Sequence, residues 1–342
     1  MKLAVNLNYR TAAEVAAEAE RLGFDLALAP EGYRSDAASV LGLVIGRTAA
    51  IGVGSGVFQI PGRPAGMTAL TAATLDALSG GRFRLGLGVS NPDVSEGWYG
   101  VPFDDPLGRT REYVEVVRMA MRGEQVRYAG DHLRLPPPGR EGAALTVLTE
   151  PLRADLPIYL AAVGTRNLEL AGEIADGWLG VFASPEQVGQ CVAHIDAGRR
   201  RVGREASAFE VIPGVPTVIG ADPQACADQV RGYFAHFLGM GSRRRNIYRA
   251  LAESLGHGSA ADQVHERYAV GDVRGAAGAV PLAFIDAVSL LGPVERVAER
   301  MAAYAKAGAT TLALSPFALT AEGQTATLRE AVRALEASGV AG

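Results

Sequence analysis

The stretch Ile51–Asn91, IGVGSGVFQIPGRPAGMTALTAATLDALSGGRFRLGLGVSN, decides how the rest of the chain is read. Its first part sets apolar Ile51, Val53, Val57 and Ile60 among Gly52, Gly54 and Gly56. Glycine weakens a strand unless its missing side chain is used, so this reads as a buried strand that something approaches closely. Gly62, Arg63 and Pro64 form a loop, and Pro64 suits the first turn of a helix, where its absent N–H would be unpaired anyway. Leu70, Ala73, Thr74, Ala77 and Leu78 then recur at helical spacing, and Gly80-Gly81 supplies a left-handed stop. Arg82 to Val89 reads as the next buried parallel strand. The stretch is a βαβ unit with its polar ends on one side.

The alternation continues in both directions. Lys2–Leu7 is strand one, and Thr11 with Glu14 forms the capping box of a helix that runs to Gly23. Phe24–Ala29 is strand two, Pro30-Glu31-Gly32-Tyr33 follows its carboxyl end, and Asp36 starts a helix to about Thr48. Asn91 to Gly108 reads as a long polar-aromatic loop before a helix marked by Tyr113, Val116, Val117, Ala120 and Met121. Leu156–Val163, Gly177–Phe182, Phe209–Ile219 and Thr310–Ser315 are strands five to eight. Ser184 caps one of the later helices, and Asp222-Pro223 opens another. Residues about 123–155, expected as a hairpin plus loop, and 239–292 are too long for simple connections and read as insertions after strands 4 and 7. Eight βα alternations with no linker between halves predict one α/β domain over 1–342, a closed (β/α)8 TIM barrel.

Composition narrows the function. The 342 residues are 48% hydrophobic and 20% charged, which describes a globular chain with a sizeable core. A net charge of −4, with no basic run longer than Arg243–Arg245, argues against a nucleic-acid or membrane surface. Cys191 and Cys226 have no metal or redox spacing, and the histidines show no HExxH, so no metal is expected. Gly86-Leu87-Gly88 lacks the third glycine and partner acid of a dinucleotide fold, and there is no GxSxG. A strand beginning at Lys2 leaves no room for a signal peptide, and no 18-residue apolar run is present. The expectation is a cytoplasmic protein, a homodimer, acting on a small-molecule substrate.

Active sites of such barrels lie at the carboxyl ends of the strands. That gathers Asn8, Glu31, Val57 to Gln59, Ser90-Asn91, Gly164 to Arg166 and Trp178 around one mouth. In Ala161-Ala162-Val163-Gly164-Thr165-Arg166, a glycine turn feeds a helix amino terminus, whose free N–H groups and positive dipole end suit a phosphate. Arg166 would add a charge-assisted contact. The alternative is that Gly164 only turns the chain and Thr165 only caps the helix. For proton handling the carboxylates singled out are Glu31 and Glu96, with Asp36 and Asp93 behind them. Glu96, beside Trp98 and Tyr99, is either a desolvated donor or a hydrogen bond that pins the long loop. His132 and His257 are the histidines expected near the mouth.

LDALSGGRFRLGLGVS (Leu75–Ser90), preceded by GSGVFQIPGRP (Gly54–Pro64), resembles the luciferase-like monooxygenase superfamily. EGWYGVPF (Glu96–Phe103), RTREYVEVVR (Arg109–Arg118) and AGEIADGWLG (Ala171–Gly180) are similar to its F420-dependent branch, which includes methylenetetrahydromethanopterin reductase. The resemblance implies a (β/α)8 barrel that uses FMN or the deazaflavin F420. It implies a cofactor phosphate held after strands five and six by Gly164, Thr165, Gly177 and Trp178, and a cis peptide at Gly56-Val57 behind the ring. Asn8, Ser90 and Arg166 join these as expected cofactor contacts. Glu31 falls where the family presents an acid near the ring, although its neighbours Pro30 and Gly32 depart from the family pattern. Tyr99 stands where a histidine is common, so that histidine's role is not carried over. The implied activity is an F420-dependent oxidoreductase moving a hydride between the deazaflavin C5 and a C=C, C=N or alcohol. A reduced-FMN monooxygenase and a non-catalytic flavin-binding barrel are the alternatives.

Overall fold

The structure, a computed structural model, describes residues 1–149 and 152–341. Eight parallel strands follow the chain: β1 (Lys2–Asn6), β2 (Leu26–Ala29), β3 (Gly52–Ser55), β4 (Phe83–Gly88), β5 (Ile158–Ala161), β6 (Gly177–Val181), β7 (Glu210–Ile219) and β8 (Thr311–Pro316). Each pairs with the next, and β8 pairs with β1, so the ring closes. Fourteen helices are described. The first seven are α1 (Ala12–Arg21), α2 (Ala37–Ile45), α3 (Ala65–Leu78), α4 (Pro92–Gly97), α5 (Pro106–Met121), α6 (Thr165–Ile174) and α7 (Pro185–Arg201). The rest are α8 (Pro223–Gly239), α9 (Ile247–Ser254), α10 (Gly258–Ala269), α11 (Val273–Ala279), α12 (Leu282–Ala287), α13 (Val294–Lys306) and α14 (Ala321–Ala337). This is the (β/α)8 barrel that the alternation predicts. None of the described helices is long and apolar enough to cross a membrane.

The chain divides into two compact units: Leu7–Leu179 with His194–Phe209, and Met1–Asn6 with Gly180–Ala193 and the residues from Glu210 onward. In the first, α1 buries Ala12, Val15, Ala16 and Ala19, the three-and-four spacing of an apolar helix face. From that helix Glu20 accepts the backbone N–H groups of Ala49, Ala50 and Ile51 at 2.9, 2.6 and 2.9 Å, which fixes the entry to β3. The glycines of the opening stretch now have their reason. A Cβ at Gly52 would stand 2.7 Å from the Asp25 carbonyl oxygen, and one at Gly54 3.0 Å from that of Arg84. One at Gly86 would collide with the Ser55 carbonyl oxygen. What approaches the strand closely is the backbone of its neighbours. Ser55 seals that contact, its Oγ donating to the Gly86 carbonyl at 2.8 Å and accepting the Gly86 N–H at 2.9 Å.

Several expectations in this unit are revised. The single strand expected over Ile51–Ile60 stops at Ser55 and resumes as Phe58–Gln59, paired with β4. Between them the Gly56-Val57 peptide is cis, as the resemblance implies. Thr11 stands at the α1 N-cap without a side-chain capping bond, so the capping box does not form. Its ψ of 9° is far from the extended backbone that aims an N-cap oxygen at the helix amides. Inside the expected Asn91–Gly108 loop lies α4, capped by the Asn91 side chain, which accepts the Val94 N–H at 3.0 Å. Asn91-Pro92 is itself an N-cap and N1 signal, hidden by the helix's six residues. The excursion after α5 opens with the expected hairpin, Tyr128–Ala129 against Arg134–Leu135. Glu150 and Pro151, near its end, lie outside the described residues.

In the second unit, β7 runs unbroken through Pro213 and Pro216. Gly214–Thr217 pair with Ala313–Pro316 of β8, and Thr217–Ile219 pair with a further strand, Leu290–Gly292. That strand was expected as part of the 239–292 insertion, because three residues are too few to show alternation. The remainder of the insertion is α9 to α12. His257 packs on the Phe284 ring at 5.7 Å and His236 Nδ1 lies 2.7 Å from the Tyr268 hydroxyl.

Candidate active site

Beyond the carboxyl ends of β2, β3 and β4 the loops are tied together by one polar net. Glu31 follows β2, Gln59 and Arg63 follow β3, and Ser90 follows β4. Arg63 grips the Glu31 carboxylate as a fork: Nε lies 3.0 and 3.1 Å from the two oxygens and Nη2 2.7 Å from Oε2. The Gln59 backbone N–H donates to Glu31 Oε1 at 3.2 Å, and its side-chain amide donates to the Glu31 carbonyl at 3.1 Å. Ser90 Oγ, on a residue with φ of 66°, lies 3.4 Å from Gln59 Oε1. Arg63 Nη2 also reaches Asp36, its Cζ sits 4.5 Å above the Phe58 ring, and its carbonyl accepts from the Tyr113 hydroxyl at 2.9 Å. The Glu31 and Arg63 side chains are only 6% and 14% exposed, so the fork operates largely out of water.

The net shifts its members. The hydrogen bonds from Arg63 to Glu31 hold the guanidinium above its ordinary pKa. Burial pushes Asp36 upward, but the Ser39 hydroxyl, the Ser39 amide and Arg63 together hold it below the usual carboxylate range. Tyr99 is raised by desolvation first and by the Glu31 charge second, so its phenol keeps its proton at neutral pH. Its ring lies against Gly62, where a Cβ would be 2.7 Å from Cζ. The sequence alone places Gln59 at the mouth and Tyr99 beside Glu96 but joins neither to Glu31, and it reads Arg63 only as part of a loop. The one signal available was Gly62-Arg63 in the loop, and nothing there names Glu31, 32 positions away, as its partner.

Both Glu31 oxygens accept hydrogen bonds, from Arg63 and Gln59, so in this structure the carboxylate ties the loops after β2 and β3 together. Glu96, exposed on α4, accepts the Phe103 N–H at 3.2 Å, which is the loop-pinning arrangement. Asn8 is exposed and accepts the Arg10 N–H at 3.1 Å. The Val57 side chain covers Gly88, where a Cβ would come 2.6 Å from its Cγ2.

Gly164 ends the β5 loop and caps α6 with extended backbone, φ −75° and ψ 154°. Its carbonyl accepts the N–H groups of Asn167 and Leu168, both at 2.9 Å. The amides of Thr165 and Arg166 precede any helical carbonyl and point out of the helix end. Apart from its chain neighbours, no described heavy atom lies within 4 Å of where a Gly164 Cβ would stand, so the chain is open beside this helix end. The exposed Arg166 extends a positive field here. With the Gly108 amide and His132, it helps hold Asp105 below the usual carboxylate range. His132 Nε2 lies 3.0 Å from Asp105, so this histidine is part of that loop's own bonding. Gly177 and Trp178 are the first two residues of β6. Gly177 opens β6 at its amino end beside Tyr159, two residues below the level of Ala161 and Leu179. Trp178 is 1% exposed and its indole N–H donates to the Ala162 carbonyl at 2.8 Å. Among the described residues no group of three or more His, Cys, Asp or Glu side chains could hold a metal ion.

A closed (β/α)8 barrel with polar side chains collected beyond the carboxyl ends of its strands is the architecture of a barrel enzyme. The chain belongs to the luciferase-like monooxygenase family, which it matches over residues 3–311. It is 38% identical to a Mycobacterium tuberculosis protein named as a coenzyme F420-dependent oxidoreductase, over 92% of this chain and 95% of that one. It is 29% identical to the 5,10-methylenetetrahydromethanopterin reductase of Archaeoglobus fulgidus, over 85% of each chain. Its fold matches the coenzyme F420-dependent tetrahydromethanopterin reductase of Methanopyrus kandleri with a TM-score of 0.82 at 25% identity, covering 98% and 97% of the two chains.

Proposed function

We propose that this protein is an F420-dependent oxidoreductase that exchanges a hydride with a C=C, C=N or alcohol of a small organic substrate. The observation that carries the reading is the 38% identity, over 92% of the chain, to a relative named for F420. The α6 amino terminus fits the cofactor's phosphate, because it offers two unshared amides, an exposed guanidinium and open space beside Gly164. When bound, the deazaflavin supplies the carbon that gives or takes the hydride. Thr165 and Arg166 bind the anion. The Glu31–Arg63–Gln59–Ser90 net holds the loops after β2, β3 and β4 in one arrangement, so that groups on them keep their positions during turnover. Tyr99 holds a proton at its hydroxyl beside this net and can offer it to a substrate heteroatom.

The test is a fluorescence titration with F420 and, separately, with FMN, followed by turnover and oxygen uptake. Selective F420 binding, with substrate reduction or alcohol oxidation and no oxygen consumption, is the expected result. Binding of FMN alone, with oxygen uptake, would establish the monooxygenase instead, and F420 binding without turnover on any substrate would leave a binding barrel.

A further inference from the structure

In the unit that carries β7 and β8, the chain leaves Val181 into Phe182 at a φ of 50°, a left-handed backbone that bulky residues seldom adopt and that is often found at functional sites. The turn places the Phe182 ring, fully buried, 4.9 Å from Phe234, 5.2 Å from Tyr248 and 5.6 Å from Tyr233 and from Phe237. Tyr233 and Phe237 stand one turn apart on α8 with rings 4.8 Å apart, and Tyr248 of α9 lies 4.7 Å from Phe237. Phe317, the residue after β8, faces Tyr233 at 5.0 Å. Phe182 and Phe234 are core. Tyr233, Phe237, Tyr248 and Phe317 are only partly buried against it, so each presents ring surface outside the core. They do so at the carboxyl ends of strands, the end at which barrels of this class receive substrates.

A second observation concerns the Tyr233 hydroxyl. Phenols set among apolar groups normally find a hydrogen-bond partner. In the same unit Tyr304 donates to the Ala183 carbonyl at 2.9 Å, and Tyr268 lies 2.7 Å from His236. Tyr233 makes no hydrogen bond to the described residues, and its hydroxyl oxygen is not sealed from solvent. Desolvation and the nearby Tyr248 raise its pKa, so at neutral pH it is a proton-bearing donor that a ligand can reach. None of the six aromatic residues carries a charge to meet an ionic ligand.

We propose that Tyr233, Phe237, Tyr248 and Phe317 form a specificity wall for an uncharged, apolar substrate bearing one hydrogen-bond acceptor, a ketone oxygen or imine nitrogen, that takes its bond from Tyr233 Oη. The inference deepens the oxidoreductase reading by naming a substrate class, and it rests on that reading only for the chemistry after binding.

The experiment therefore measures binding to cofactor-free protein by saturation-transfer NMR, with acetophenone and cyclohexanone as neutral probes and benzoate as the charged one. Both ketones should bind at least about tenfold more tightly than benzoate. Tyr233→Phe, which removes one oxygen, should weaken acetophenone about three- to tenfold, the range of one neutral hydrogen bond, with unchanged circular dichroism. Phe317→Leu should weaken both ketones and leave the benzoate value where it was. The wall is refuted if neither ketone binds the wild type, if benzoate binds as well as acetophenone, or if Tyr233→Phe binds acetophenone like the wild type. A parallel F420 titration of the same preparation separates the two readings: loss of F420 binding with ketone binding intact sinks the cofactor assignment alone.

Discussion

Glu31→Gln distinguishes an anchor from an acid. In the wild type the two side chains of the Arg63–Glu31 fork are 14% and 6% exposed. The replacement amide can accept one hydrogen bond but turns its NH2 group, a donor, toward a guanidinium that only donates. Arg63 keeps Asp36, whose side chain is 48% exposed and so screens it weakly. Orphaning one member of a buried pair costs about 3–5 kcal/mol. The partial exposure of Arg63 and its remaining link to Asp36 reduce this, so a loss of about 2–3 kcal/mol is expected. At roughly 2–4 °C per kcal/mol for a large domain, the melting midpoint should fall by about 4–12 °C.

The assay is thermal denaturation followed by circular dichroism, paired with F420 turnover on the same samples. Arg63→Gln combined with Glu31→Gln should recover part of the loss, because the orphaned cation is gone and the two residues share one interaction. The pH dependence adds a check with a definite sign. Asp36 is held below its ordinary value near 3.8 in the folded protein, so its contribution is present above that value and is lost as pH falls through the folded one. Wild type and variant both keep Asp36, so both should hold this contribution from about pH 5 to 8 and lose it together in acid. An unchanged midpoint with turnover lowered by about 10²–10⁴-fold, the range for a lost general acid, would refute the anchor.

Three further outcomes are expected. Gly164→Val should fold normally, since its φ of −75° and ψ of 154° suit valine and its Cβ meets nothing, yet F420 affinity should drop at least about tenfold as the side chain fills the space beside the α6 amides; equal dissociation constants by fluorescence titration would remove this helix end from the site. Gly86→Ala should cost about 3 kcal/mol or more in urea denaturation, because its Cβ would collide with the Ser55 carbonyl and stand 2.9 Å from Leu179 Cδ1 in strands that cannot move apart; a wild-type midpoint would show that β3 and β4 can separate. Glu96→Gln keeps an acceptor for the Phe103 N–H, so turnover should stay within about twofold, and a hundredfold loss would return Glu96 to the chemistry.

The strands and helices of the barrel were readable because each repeats a local rule over several residues. Leu70, Ala73, Thr74, Ala77 and Leu78 needed no partner to declare a helix, and β3 declared itself by its glycines even though what pressed on them was not identifiable. The misses are elements shorter than the rule that reveals them. Leu290–Gly292 cannot show alternation, and α4 has no full apolar stripe, although Asn91-Pro92 had announced it. The site failed to be legible for another reason. Whether a carboxylate donates a proton or anchors a loop depends on what fills its oxygens, and the Glu31 oxygens are filled by residues 28 and 32 positions away. Trp178 makes the same point in the opposite direction. Its place in a family segment put it near the cofactor; in the structure it is buried, paired with Leu160, and its indole N–H is engaged by the Ala162 carbonyl. Segment resemblance carries a residue to the right strand. Only register along that strand and the occupancy of its polar atoms decide whether it can touch a ligand. By that measure the places to test for ligands are the α6 amides and the Tyr233 hydroxyl, which make no hydrogen bond to the described residues, before the carboxylates the sequence made conspicuous.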